Sequence, residues 1–132
     1  MPRHLLPSLL WVLLCLWALG IFGISSIPGD KMIESKWLMW DKFNHFIAFS
    51  VGGWLAASAM RASLPQRKWG SFFAAVVLVS LYGLLDELHQ LFTPGRQGAD
   101  LNDWIADILG TMAGATLALI TYVHLNRLVP RP

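Results

Sequence analysis

Residues 84–110 read LLDELHQLFTPGRQGADLNDWIADILG, and five carboxylates, a histidine and an arginine there interrupt a chain that is otherwise mostly hydrocarbon. An ionisable side chain in a bilayer is expensive, about 2.5–3.5 kcal/mol for an Asp or Lys at mid-membrane on insertion scales. Such groups persist where something requires them. The stretch therefore marks the working end of the molecule, and the rest of the chain holds it in place.

The whole chain supports a membrane setting. It has 132 residues, 55% of them hydrophobic and 14% charged, with a mean hydropathy of +0.52. That is too apolar for a soluble domain of this size and too short for several domains, so residues 1–132 read as one transmembrane domain. The isoelectric point near 9.0 does not signal nucleic acid, because the basic residues are scattered among apolar segments and the formal net charge is only +2. They read as topology signals. Cys15 is the single cysteine, which excludes an intramolecular disulfide and a cysteine-rich metal site.

Working outward from the polar stretch, four apolar or small-residue runs are each long enough to cross a hydrocarbon core that takes about 20 helical residues. They span residues 5–24, 41–60, 69–89 and 103–125. The first also has the form of a cleaved signal peptide, but its length and its tryptophans, Trp11 and Trp17, argue for a retained span. Between the first two runs, Pro28, Gly29, Asp30, Lys31, Glu34 and Lys36 lead to Trp37 and Trp40, rings suited to the headgroup level. The fold expected is all-α, an integral membrane four-helix bundle with a polar cluster at its outer, extracytoplasmic end.

The word outer rests on lysine and arginine. Arg3, Arg61, Arg67, Lys68, Arg127 and Arg131 fall on one side, against Lys31, Lys36, Lys42 and Arg96 on the other. The excess side faces the cytoplasm, so both termini are expected to be cytoplasmic. From Trp69 to Asp86 is seventeen helical steps, or about 25 Å at ~1.5 Å each, which puts Asp86 just inside the edge of a ~30 Å core. Asp107, one turn below Asp103 and Trp104, is then the deepest carboxylate.

Helical spacing aligns these groups into stripes. Asp103, Asp107, Gly110, Gly114 and Ala118 share one face, so the carboxylates top a small-xxx-small seam. Asp41, His45, Gly52 and Ala56 make a second stripe. Ala75, Val79, Tyr82, Asp86 and His89 or Gln90 make a third. Plain structural roles compete with chemistry at each: Asp41 and Asp103 as helix N-caps, Lys42 as a headgroup anchor, His45 as an interhelical hydrogen-bonding group, His89 as a helix C-terminal cap. Asp86 and Glu87 resist such readings, because they stand in the last turn of a helix, where the dipole disfavours negative charge. Arg96, in the TPGRQG turn, either pairs with one of them or serves an anionic ligand, phosphate being the most abundant at that depth.

Three segments carry a family resemblance: DKFNHFIAF at 41–49, YGLLDELHQLFTPGR at 82–96 and ADLNDWIADILGTMAG at 99–114. Together they resemble the VanZ-like family of small membrane proteins, named for a teicoplanin-resistance protein. The resemblance directs functional interest to Asp41, Lys42, His45, Asp86, Glu87, Gln90, Arg96 and Asp103, with Gly110 and Gly114 as packing positions. Asp107 departs from the pattern, which more often has asparagine there. The resemblance implies a bacterial cytoplasmic membrane protein and, for some members, lowered susceptibility to glycopeptide antibiotics. It supplies no molecular activity.

Three functions are weighed on these residues. The first is binding or modification of a phosphate-bearing lipid or lipid-linked envelope intermediate. Asp41, Lys42, His45, Asp86, Glu87, Gln90, Arg96, Asp103 and Asp107 form its site, and Asp86, Glu87 and His45 are the candidates for acid–base work. Carboxylates and imidazole also suit a divalent metal, although no HExxH-type motif is present and no serine or cysteine nucleophile stands in the cluster. The second is a non-enzymatic scaffold whose Gly110/Gly114 seam binds a second copy or another membrane protein. A proton-coupled carrier ranks third, since four helices leave little room for alternating access.

Overall fold

The computed structural model describes residues 5–31 and 41–128, with side chains for 6–31 and 41–122. The expectations for Arg3, Glu34, Lys36, Trp37, Trp40 and Arg131 lie outside the described residues. Four helices account for the described chain: α1 (Leu5–Ser25), α2 (Asp41–Ser63), α3 (Lys68–Gln90) and α4 (Leu101–Leu128), with a short 3-10 turn at Gly29–Lys31. They run alternately up and down. The end of α1, the start of α2, the end of α3 and the start of α4 therefore meet at one end of the bundle. At the other end, the Trp11 indole of α1 donates to Ser63 Oγ of α2 at 3.1 Å, and the Arg61 guanidinium of α2 lies 4.6 Å over the Tyr122 ring of α4.

Three of the helices, α1, α3 and α4, are long and apolar enough to cross a membrane. α2 is long enough but falls short in hydropathy, because it carries Asp41, Lys42, His45 and Arg61 and relies on small residues. Its position explains this. α2 is the central helix and packs against the other three, and its Phe49, Gly52, Gly53, Leu55, Ala56, Ala57 and Ala59 are buried in protein. A helix shielded from lipid need not be oily. By contrast, α3 presents Trp69, Phe73, Val77, Leu81 and Leu85 at four-residue spacing to the outside, all exposed, as a lipid-facing stripe should be.

Lipid tails are as apolar as leucine, so packing between helices depends on close backbone approach. On α4, a Cβ at Gly110 would strike Phe46 O, and one at Gly114 would strike Ser50 O and Trp54 N. In return, a Cβ on Gly53 of α2 would strike Thr111 O of α4. The small-residue seam is thus occupied by α2 of the same chain.

Aromatic and imidazole donors close a ring around the bundle. Trp17 Nε1 of α1 donates to Ala48 O of α2 at 3.0 Å. The Tyr82 hydroxyl of α3 donates to Ala18 O of α1 at 2.5 Å, and Trp104 Nε1 of α4 donates to Ser80 O of α3 at 2.9 Å. His45 completes the circuit from α2 to α4 through Asp107. A helical carbonyl has a second lone pair to accept such a bond. Trp17, Phe49 and Tyr82 also pack edge-on or tilted, with ring centroids 5.4–6.5 Å apart, directly below the polar end.

Candidate functional site

The loop from Leu91 to Asp100 sets the site's geometry. Thr93 to Arg96 form a tight turn closed by Arg96 N–H to Thr93 O at 3.2 Å. Pro94 fixes its second position, and Gly95, at φ +71°, supplies the left-handed third that a type II turn demands. The chain then returns flat against the end of α3. Ala99 takes a left-handed φ of 57° and donates its N–H to Glu87 O at 3.0 Å. A Cβ at Gly98 would collide with Leu91 N and Gln90 C, so only glycine permits this approach. The Thr93 hydroxyl meanwhile reaches Ser25 O at 3.0 Å, and Gly29 N–H reaches Pro94 O at 2.9 Å. The two connecting loops are thereby tied together over the polar end.

Glu87 and Asp86 have different compensation from the one the sequence suggests. Glu87 Oε2 accepts the Asp100 N–H at 2.9 Å, so the carboxylate in the last turn of α3 faces the positive N-terminal end of α4. Asp86 Oδ2 accepts from Ser25 Oγ at 2.8 Å and from Gln90 Nε2 at 3.0 Å. Both carboxylates are buried. Among the described residues neither is tied to Arg96, and a serine does stand in the cluster, contrary to expectation: Ser25, at the end of α1.

The cap of α4 is also displaced by one turn. Asp100, not Asp103, precedes the helix, and its Oδ1 accepts the Asn102 N–H at 2.8 Å. That bond, together with the Lys42 ammonium nearby, holds the Asp100 carboxyl below its ordinary value of 3.8. Asp103 is buried inside the first turn and takes Lys42 Nζ at 2.8 Å, while Asp100 Oδ2 lies 3.4 Å from the same ammonium. Lys42 therefore bridges α2 to α4. His89 is not a plain cap either, because its Nε2 lies 3.0 Å from Ser26 Oγ and its ring stacks on Phe22 at 4.6 Å. It clips α3 to α1.

His45 links the two halves of the site. Its Nδ1 is hydrogen-bonded with Asp107 Oδ1 at 2.9 Å, and Nε2 lies 4.0 Å from Asp41 Oδ1. Asp107 is completely buried, whereas Asp41 has 74% of its side chain exposed. Three carboxylate oxygens, Asp86 Oδ1, Glu87 Oε1 and Asp107 Oδ2, are buried without a hydrogen-bond partner among the described residues. Two residue sets bring one ligand atom each within 4.8 Å of one another, Asp41–His45–Asp103 and His45–Glu87–Asp107. Carboxylate and imidazole donors of this kind fit a divalent cation.

Beside this network lies a cavity of about 390 Å³ between α1, α2 and the end of α3. Its lining is mixed, with Ile21, Ile24, Phe43, Ile47 and Phe49 among the apolar residues and Ser25, Asp41, Asn44, His45, Asp86, Gln90 and Arg96 as the polar ones. Of the residues singled out in the sequence, Asp41, His45, Asp86, Gln90 and Arg96 line the cavity. Lys42, Glu87, Asp103 and Asp107 are not among its lining and belong to the network that joins α2, α3 and α4. Ser25, Asp100 and Thr93 were missed. Asp100 carried a signal, since an aspartate just before a helical run is a cap candidate, but Ser25 and Thr93 carried none, because their partners lie 61 and 68 residues away.

A family model described as VanZ/LLP1 matches residues 9–122, nearly the whole chain. No curated protein and no solved structure matches it.

Proposed function

From the chain's membership of the VanZ-like family, whose teicoplanin-resistance namesake links some members to glycopeptide susceptibility, we propose that this protein binds a phosphate-bearing lipid or lipid-linked envelope intermediate. The observation that carries the reading is the mixed lining of the cavity: apolar side chains from α1 and α2 for hydrocarbon, and Arg96, His45, Asp86 and Gln90 for a headgroup. The Arg96 guanidinium offers planar donors that match phosphate oxygens, and Gln90, already held by Asp86, adds polar character beside it. Asp41 and Asp86 supply acceptors for a sugar or glycerol hydroxyl. In this proposal the protein sits in the bacterial cytoplasmic membrane with both termini cytoplasmic, so that the polar end opens at the outer leaflet.

Native mass spectrometry of the gently extracted protein tests this. Wild type is expected to retain a defined phosphate-bearing lipid, and folded Arg96→Ala and Asp86→Asn variants to lose it. A hydrogen bond to a charged group is worth about 1.5–3 kcal/mol, so each variant should weaken retention by roughly 10- to 150-fold. If all three forms fly lipid-free, the lipid reading fails, and the polar network is structural, as in a scaffold whose partners are other membrane proteins.

A further inference from the structure

We propose that His45, Glu87 and Asp107 bind one divalent first-row transition-metal ion, Zn²⁺ or Mn²⁺, at the meeting point of α2, α3 and α4. The inference does not rest on lipid binding, because the readout is the metal content of the protein and not retained lipid.

Geometry is the first support. One ligand atom from each of the three residues lies within 4.8 Å of the others, so a small closure brings all three onto one centre. His45 Nδ1 and Asp107 Oδ1 are already 2.9 Å apart. That is about the separation of two adjacent ligands on an ion whose bonds are ~2.0–2.2 Å. On α3, Gly83 lies against Asp107: a Cβ there would fall 2.7 Å from Asp107 Oδ2.

A second and independent support is the state of the carboxylates. Glu87 is 1% exposed and Asp107 0%, and each keeps one oxygen, Oε1 and Oδ2, with no hydrogen-bond partner among the described residues. Their other oxygens are engaged, Glu87 Oε2 by the Asp100 N–H and Asp107 Oδ1 by His45. Buried polar atoms are ordinarily satisfied, and an unpaired buried carboxylate oxygen is costly. The nearby Lys42 ammonium is engaged by Asp103 and Asp100. Two buried carboxylates are thus left facing one imidazole. A divalent ion balances both charges and gives the two carboxylates a common partner, which a single proton does not do.

The donor set also selects the ion. One imidazole and two carboxylates with no thiolate suit Zn²⁺ or Mn²⁺ and disfavour soft Cu(I). Three protein ligands leave at least one coordination position for water or a ligand oxygen. His45 also lines the cavity, so the ion and a cavity ligand would share a wall.

Metal uptake decides the matter. Full-length protein in lipid nanodiscs, stripped with a chelator, is equilibrated with ZnCl₂ or MnCl₂, washed and quantified by elemental mass spectrometry. About one equivalent is expected, held through washing. Second-shell changes cost about 10- to 100-fold in metal affinity, so Glu87→Gln and Asp107→Asn should each cost at least about 100-fold. Asp30→Asn, outside both residue sets, should bind like wild type, and Asp41→Asn, whose carboxylate lies 4.0 Å from His45 Nε2, should cost less than either ligand variant. The site is overturned if wild type takes up neither ion, if folded Glu87→Gln and Asp107→Asn hold it as tightly as wild type, or if Asp41→Asn alone loses it. Circular dichroism establishes folding of each variant. Should the ligand variants fail to fold, the wild-type result stands as the test: saturable uptake of about one equivalent with a raised melting temperature supports the site, and uptake without them overturns it.

Discussion

Gly114→Val is expected to destabilise the bundle by about 3 kcal/mol, the upper part of the usual range for overpacking. The clash is with backbone: even the first added carbon would fall on Ser50 O and close to Trp54 N of α2. Neither can swing aside as a flexible side chain would, so α2 and α4 must separate along their seam. Separation also loosens Gly110 against Phe46 and pulls Lys42 away from Asp103, which couples seam and site. Gly20 provides the control, since a Cβ there meets nothing within 4 Å. Gly20→Ala should be neutral or stabilising by about 0.5–1 kcal/mol, the cost of glycine in a helix. Thermal or SDS-induced unfolding of the purified variants reads both effects, and equal stability of Gly114→Val and wild type would contradict the seam as described.

His45→Leu is expected to cost about 3–5 kcal/mol, the usual effect of removing one partner from a buried charged pair. It leaves Asp107, wholly buried, with neither oxygen bonded. The diagnostic is rescue. Combined with Asp107→Asn, the same His45→Leu change should cost much less, because an amide buried there carries no charge. A double-mutant cycle on unfolding free energies measures the coupling, and a pair in contact usually couples by about 0.5–3 kcal/mol. Additive costs would show that the 2.9 Å contact carries no energy of its own.

Much of the polar end follows from periodicity. Asp86, Gln90, Asp103 and Asp107 are buried on the inward faces that helical spacing assigns them, and Gly110 and Gly114 make the close approach their seam implies. Two things were not legible. The first is the identity of partners across long separations. Lys42 to Asp103 and Ser25 to Asp86 each join residues 61 apart, and no local pattern encodes which of several carboxylates a lysine or serine will meet. The second is loop geometry. The left-handed turn at Ala99 brings the start of α4 over Glu87, which is why a backbone N–H and not Arg96 compensates that acid. The sequence favoured arginine because charge is visible in a sequence and an N–H is not. α2 shows the reverse limit, since its low hydropathy has a meaning only once its central position is known.

The central claim, a lipid-binding cavity of mixed lining between α1 and α2, is tested most directly by photo-crosslinking. A phosphate-bearing lipid with a photoreactive acyl chain, present at low mole fraction in vesicles, is activated on the reconstituted wild-type protein, and the adducts are mapped by mass spectrometry. The expected adducts fall on Ile21, Ile24, Phe43 and Ile47 of the cavity wall and saturate with lipid. Adducts of equal yield along the outward stripe of Phe73, Val77 and Leu81, rising without saturation, would mean that the protein meets this lipid only as solvent.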